Sequence, residues 1–177
     1  GINHLRIRLD HFYMNKDRMI EGSSSVSNPA DKEVAVNKDL LRIHYGLSDN
    51  MMIIGFVPYF SKQMEMRKTG NHIEKDSSGL GDMELRLKYR FLKQSPGKPW
   101  PSMAVIGGVK FPTGKDDEEQ DGVLIPPPLQ PGSGSTDYTF ILAGTKKLSK
   151  MFLHSNLMWQ MRTEGSHDYE FGDIFKY

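Results

Sequence analysis

Residues 82–91 read DMELRLKYRF, and they decide the fold class. Met83, Leu85, Leu87, Tyr89 and Phe91 fall on one parity; Asp82, Glu84, Arg86, Lys88 and Arg90 fall on the other. Period two without an exception specifies a β-strand with one apolar and one charged face. A helix would spread these charges around its whole circumference. The charged face meets water, and the apolar face meets either a protein core or a lipid.

The same alternation recurs on both sides of this stretch. His4 to Tyr13 predicts a first strand, with Leu5, Ile7 and Leu9 opposite His4, Arg6, Arg8 and Asp10. Val36 to Leu47 predicts a second, and Met51 to Phe60, apolar on both faces, a third across the tight turn Ser48-Asp49-Asn50. The opening stretch is the fourth strand. Ser102 to Phe111 is the fifth, in which Gly107 and Gly108 point to a bend, a bulge or a close approach. Asp137 to Lys147, Met151 to Arg162 and the segment from Tyr169 complete eight predicted strands.

Between them, Asn15 to Glu33, Ser61 to Gly81 and Pro112 to Thr136 read as long polar loops, while the other connections are short. Long and short connections alternate, which suits an up-and-down barrel with one looped and one turned end. About ten residues per strand, tilted, is also the length that crosses a hydrocarbon layer. The expected fold is all-β, an antiparallel up-and-down transmembrane β-barrel over residues 1–177 as a single domain, with at least eight strands in this segment. Gly1, without a basic or apolar leader, and Tyr177, inside a strand, read as the ends of a mature or trimmed piece.

Composition narrows the function classes. The 23 basic and 22 acidic residues offer no electrostatic support for a nucleic-acid partner. Zero cysteines exclude a disulfide framework, a thiolate metal site and a cysteine nucleophile. No apolar run approaches the roughly 18 to 20 residues of a transmembrane helix, so a membrane would have to be crossed by a closed barrel. Two solvents remain for the apolar faces. In lipid, the Met83 parity points outward and the Asp82 parity lines a wet lumen; in a soluble, secreted or periplasmic barrel holding an apolar ligand, the two are exchanged. Strand three lacks an evenly polar face, and Tyr45, Tyr59, Phe60, Tyr89, Phe91, Phe111, Tyr138 and Trp159 sit towards strand ends, where interfacial girdles lie. Both features favour lipid.

Short motifs carry a resemblance. Gly79-Leu80-Gly81-Asp82 leading to Tyr89-Arg90-Phe91, then Val109-Lys110-Phe111-Pro112-Thr113-Gly114, then Gly132-Ser133-Gly134-Ser135-Thr136-Asp137 before a strand, resemble the outer-membrane transporter family labelled "MetA-pathway of phenol degradation". Tyr45 to Asn50 resembles the periplasmic turn of the same proteins, and the similar region runs from about Leu40 to Tyr177. The resemblance implies a β-barrel in the outer membrane of a Gram-negative bacterium, with membrane lipid and a small, often hydrophobic or aromatic solute as partners. It supplies no catalytic residues and no cofactor, so no enzyme is expected, and the six scattered histidines show no ligand spacing such as His-x-x-x-His, so no metal is expected. The Pro126-Pro127-Pro128 insertion and the PGSGS form of the loop end depart from the family pattern.

In the channel reading Arg6, Arg8, Arg42, His44, Asp82, Glu84, Arg86, Lys88, Arg90, His154 and Asn156 are candidates to line the lumen. The Asp82 to Arg90 ladder serves equally well as cross-strand ion pairs that brace the wall. His154, Ser155 and Asn156 echo the residue set of an outer-membrane phospholipase, but neighbouring strand residues point to opposite faces, so Ser155 cannot meet His154. The acidic run Asp116 to Asp121 lacks the spacing of a calcium loop and reads as solvated.

Overall fold

Alternating segments separated by turns pair with their neighbours in chain order. The computed structural model describes every residue except 1, 18, 22, 23, 27, 29–31, 69, 70 and 96, so Gly22 and Pro29 of the first predicted loop lie outside the described residues. Its strands are β1 (Leu5–Lys16), β2 (Met19–Glu21), β3 (Ser24–Val26), β4 (Glu33–Gly46), β5 (Met51–Lys68), β6 (Asn71–Leu80) and β7 (Glu84–Leu92). There follow β8 (Ser102–Lys110), β9 (Glu119–Gln120), β10 (Val123–Leu124), β11 (Asp137–Leu148), β12 (Met151–Met161) and β13 (Ile174–Lys176). One antiparallel sheet runs in the order β1-β4-β5-β7-β8-β11-β12-β13, and β6 also pairs with β5. The short hairpins β2–β3 and β9–β10 stand apart from it.

Four expectations need correction. Strand three does not end at Phe60: β5 continues to Lys68 and returns through β6, so most of the loop predicted at Ser61 to Gly81 is a hairpin. Its polar residues misled because they alternate too, with Gln63, Glu65 and Arg67 opposite Lys62, Met64 and Met66. The first loop is likewise shortened at both ends, since β1 runs to Lys16 and β4 starts at Glu33. The third holds β9, β10 and a 3-10 turn at Pro127–Leu129. The eighth strand shrinks to three residues, because a 3-10 turn at Ser166–Asp168, with positive φ at His167 and Asp168, interrupts extended backbone.

The polarity of the sheet is the reverse of a soluble protein's. Along β7 exposure alternates residue by residue: Leu85, Leu87 and Tyr89 are 46%, 42% and 46% exposed, whereas the Glu84 and Arg86 side chains retain 14% and 21%. A soluble barrel requires Leu85, Leu87 and Phe91 to be buried, and they are not. The same face carries Leu5, Ile7 and Leu9 on β1, Ile43 and Tyr45 on β4, Val105 on β8, Phe140 and Leu142 on β11, and Leu157 and Trp159 on β12, all exposed. Tyr45 and Tyr89 lie near the turned end of this apolar band, and Tyr59 and Tyr138 near the looped end. Phe60 belongs to the other face: it is half-buried, with the Lys38 and Lys62 ammonium groups 5.3 and 4.9 Å from its ring centre.

Beyond Tyr59 the outward residues of β5 turn polar, as Ser61, Gln63, Glu65 and Arg67, and so do Ser78, Asp76 and Glu74 of β6. The β5–β6 hairpin therefore projects past the apolar band. On the opposite face the sheet curls. Lys38 of β4 and Gln160 of β12 line one cavity although β5, β7, β8 and β11 intervene between their strands. Among the described residues no helix is long and apolar enough to cross a membrane.

Candidate functional site

A β-bulge creates the site. Phe56 pairs with Glu84 and Tyr59 with Leu80, so two residues of β5 face Gly81, Asp82 and Met83. The extra residue reverses the parity of the strand, so that Ser77 and Gly79 point inward above it and Glu84 and Arg86 below it. At the bulge itself Gly81 is buried and the Asp82 side chain is 6% exposed, aimed into the concavity.

Asp82 is the hub on which the third loop docks. Its Oδ1 accepts from the Gly114 amide at 2.9 Å, and its Oδ2 accepts from the Ser133 amide at 2.9 Å and the Ser133 hydroxyl at 2.6 Å. Lys110 at the end of β8 lies 3.2 Å from Asp82 and 2.8 Å from Asp137, and donates to the Ser133 and Ser135 hydroxyls. Ser135 donates to the other Asp137 oxygen at 2.9 Å. One ammonium and two carboxylates, each with further hydrogen bonds, satisfy one another where a lone buried charge would be costly.

The family-motif residues converge here from three separate stretches. A Cβ on Gly114 would stand 2.7 Å from Gly132 Cα and 2.7 Å from the Gly81 carbonyl carbon, so backbone meets backbone where no side chain fits. Gly79 packs beneath Pro131, Thr113 Oγ1 accepts from the Met83 amide at 2.8 Å, and Pro112 is exposed beside it. Gly134 turns the chain at φ +65° ahead of Asp137, which opens β11.

The rest of the loop lies against the inner face of the β5–β6 hairpin. Ile125 and Leu129 bury themselves against Met64, with Val34 alongside. The Lys62 ammonium donates to the Pro128 and Gln130 carbonyls at 3.1 and 2.6 Å, and Ser77 donates to the Leu129 carbonyl. Gln130 holds the loop's own shape, donating to the Glu118 and Ile125 carbonyls and accepting from the Glu118 amide. Lys62 stands past the end of the apolar band on its strand, and burial pushes its ammonium down to about 8.

Below the hub, Glu84 and Arg86 form a bidentate pair at 2.7 and 2.8 Å, and Thr139 donates to Glu84 at 2.9 Å. Arg86 lies over the Phe56 ring at 4.5 Å and fills the space left by Gly108, where a Cβ would come within 2.6 Å of its Cγ. Gly108 is thus the close approach expected of the glycine pair, while the space at Gly107 is open.

The other candidates scatter along the same face. Lys88 and His44 are half-buried, and Arg90 donates to the Asp49 carbonyl and the Asn50 side chain, which ties it to the turn. Arg8 and Arg42 bracket Asp10 at 2.7 Å each, so their charge is partly cancelled; Arg6 is exposed next to them. His154, which meets Thr145 at 3.0 Å, and Asn156 are exposed on the part of β12 that β13 does not cover. Sequence reasoning missed Lys38, Lys62, Lys110, Ser133 and Ser135 as site residues. Lys62 and Ser77 were concealed in an assumed loop, and the alternation of residues 62–67 was the signal that could have exposed them.

The cavity left beside the docked loop measures about 400 Å³ and is bounded by Lys38, Phe60, Lys62, the loop prolines, Arg162 and Phe171. Among curated proteins nothing matches this chain. The fold is similar to that of an outer membrane channel from Pseudomonas putida F1, with a TM-score of 0.66 at 15% identity, over 96% of this chain and 61% of that one. The chain thus spans about three fifths of that channel's length. The family model described as "Putative MetA-pathway of phenol degradation" matches residues 17–177, and the chain belongs to that family.

Proposed function

We propose that this chain supplies wall and constriction to an outer-membrane channel through which small, hydrophobic or aromatic molecules pass down their gradient. The observation that carries the reading is the inverted polarity of the sheet, with exposed apolar side chains on the convex face and half-buried charges on the concave one. From Met83 to Phe91 the outward apolar run rises roughly 19 to 22 Å at about 3.4 Å per residue and the usual barrel tilt, which covers most of the roughly 25 Å apolar band of such barrels. The concave charges form the lining, and the docked third loop narrows the lumen at the Asp82 hub, screening solutes by size and charge.

The test is site-directed spin labelling in lipid vesicles, combined with conductance. A label at position 85 should relax with apolar oxygen and a label at 86 with a water-soluble nickel complex, and the protein should produce discrete conductance steps in planar bilayers. A protein that stays in solution without detergent, with position 85 shielded from both agents, removes the membrane reading. Labels that place the wall in lipid while no conductance or solute flux is seen remove the channel.

A further inference from the structure

The cavity beside the docked loop has an unusual charge balance. Its lining holds five basic side chains and three acidic ones. Each acid already has its partner, Asp82 and Asp137 in Lys110 and Glu84 in Arg86. Among the described residues no carboxylate lies within ion-pair distance of Lys38, Lys62 or Arg162. These cations are not spread at random. Lys38 and Lys62 approach the same Phe60 ring, at 5.3 and 4.9 Å, and Arg162 lies 5.4 Å over Phe171 across the cavity.

Two like charges brought to one ring repel each other, and the quadrupole of the ring offsets only part of that repulsion. An anion reaching these ammonium groups from the cavity would offset the rest. Lys62 spends two donors on loop carbonyls, which fixes its direction and leaves a third for a ligand. Leu40, Pro58 and the loop prolines give the wall an apolar stretch, beside the polar Gln130, Ser133 and Gln160. Proline faces pack well against flat rings, as in polyproline recognition.

We infer that this cavity is a binding site for a small aromatic carboxylate, its carboxyl group held by Lys38 and Lys62 and its ring packed against the proline wall. The inference deepens the channel reading by naming a solute class, and it rests on that reading for the ligand's route. It separates an anionic aromatic from the neutral phenols that the family's description suggests, since a neutral ring would leave both ammonium groups without a counter-charge.

The test is binding, measured independently of transport. Detergent-solubilised protein is titrated with 4-fluorobenzoate and observed by fluorine NMR, with 4-fluorophenol as the neutral probe, acetate as competitor and empty micelles to subtract partitioning. Saturable binding of 4-fluorobenzoate is expected, with acetate a poor competitor. Lys38→Gln with Lys62→Gln should weaken it roughly tenfold, the scale of a lost charge-assisted contact, and Arg at both positions should restore most of it. The folded state of each variant is checked by its heat-sensitive migration on gels; should the double Gln variant not fold, Lys38→Gln alone takes its place with the same expected direction. No saturable binding, equal binding of 4-fluorophenol, acetate competing as well as benzoate, or Gln variants that bind like the parent would each overturn the inference. Conductance on the same preparation reports separately on the channel, so a site that binds in a protein that does not conduct is recognised as such.

Discussion

Asp82 is the residue on which most of the interior depends. It is nearly buried and takes hydrogen bonds from two loop amides and a hydroxyl while facing the Lys110 ammonium. Asp82→Ala leaves those donors and that charge without an acceptor, which costs about 3 kcal/mol when one partner of a buried pair is removed. The loop should come loose, so tryptic cleavage at Lys115 should accelerate and the urea midpoint in detergent should fall. Lys62 permits a pH prediction. Its folded value of about 8 lies below the ordinary lysine value of 10.5, so between the two the unfolded chain holds the proton more firmly. The penalty for burying that charge is present below pH 8 and disappears as pH rises towards 10.5, so stability should rise across this window. The contribution of Lys62 to the ion selectivity of the folded channel should instead fall as pH rises through about 8, and Lys62→Gln should flatten both profiles.

Among the elements, the β5–β6 hairpin and its bulge decide what faces inward. Because the bulge reverses parity, an even-numbered residue above it and an odd-numbered one below it share a face. Labels at 78 and 85 should both lie on the outer surface, and labels at 77 and 84 should both be shielded. Finding 78 and 84 on one face would show an unbroken strand. The third loop is held by packing as well as by charge. Ile125 is 1% exposed against Met64 and Leu129, so Ile125→Ala should cost about 2 to 4 kcal/mol of docking energy. Proteolysis of the loop should quicken while the circular dichroism of the sheet is unchanged.

At the scale of the whole molecule, outward apolar residues fall in a band and the hairpin beyond it is polar outside. Leu85→Arg sits inside that band and should destabilise the protein in lipid by about 2 to 4 kcal/mol, the cost of a basic residue near mid-membrane. Gln63→Arg, outward on the projecting hairpin, should change the vesicle unfolding curve little. Equal effects at the two positions would mean that the band does not lie in the bilayer.

Period two is a local property, and the chain displays it by itself: the strand pairs, the alternation of long and short connections and the two faces of Asp82 to Phe91 are all legible in the order of the residues. Even the hairpin at 61–80 is written in the parity of Lys62, Met64 and Met66, although its polar outer face disguises it. Alternation is symmetric, however, and does not say which face is concave. That depends on how the sheet curls, and curl sets Lys38 and Gln160 in the lining of one cavity across four intervening strands, a juxtaposition no window of sequence contains. The motif glycines are visible in the chain as three separate short patterns. Only the tertiary structure makes them one site, because Gly81, Gly114 and Gly132 touch backbone to backbone, and a one-residue bulge turns Asp82 inward to receive the loop.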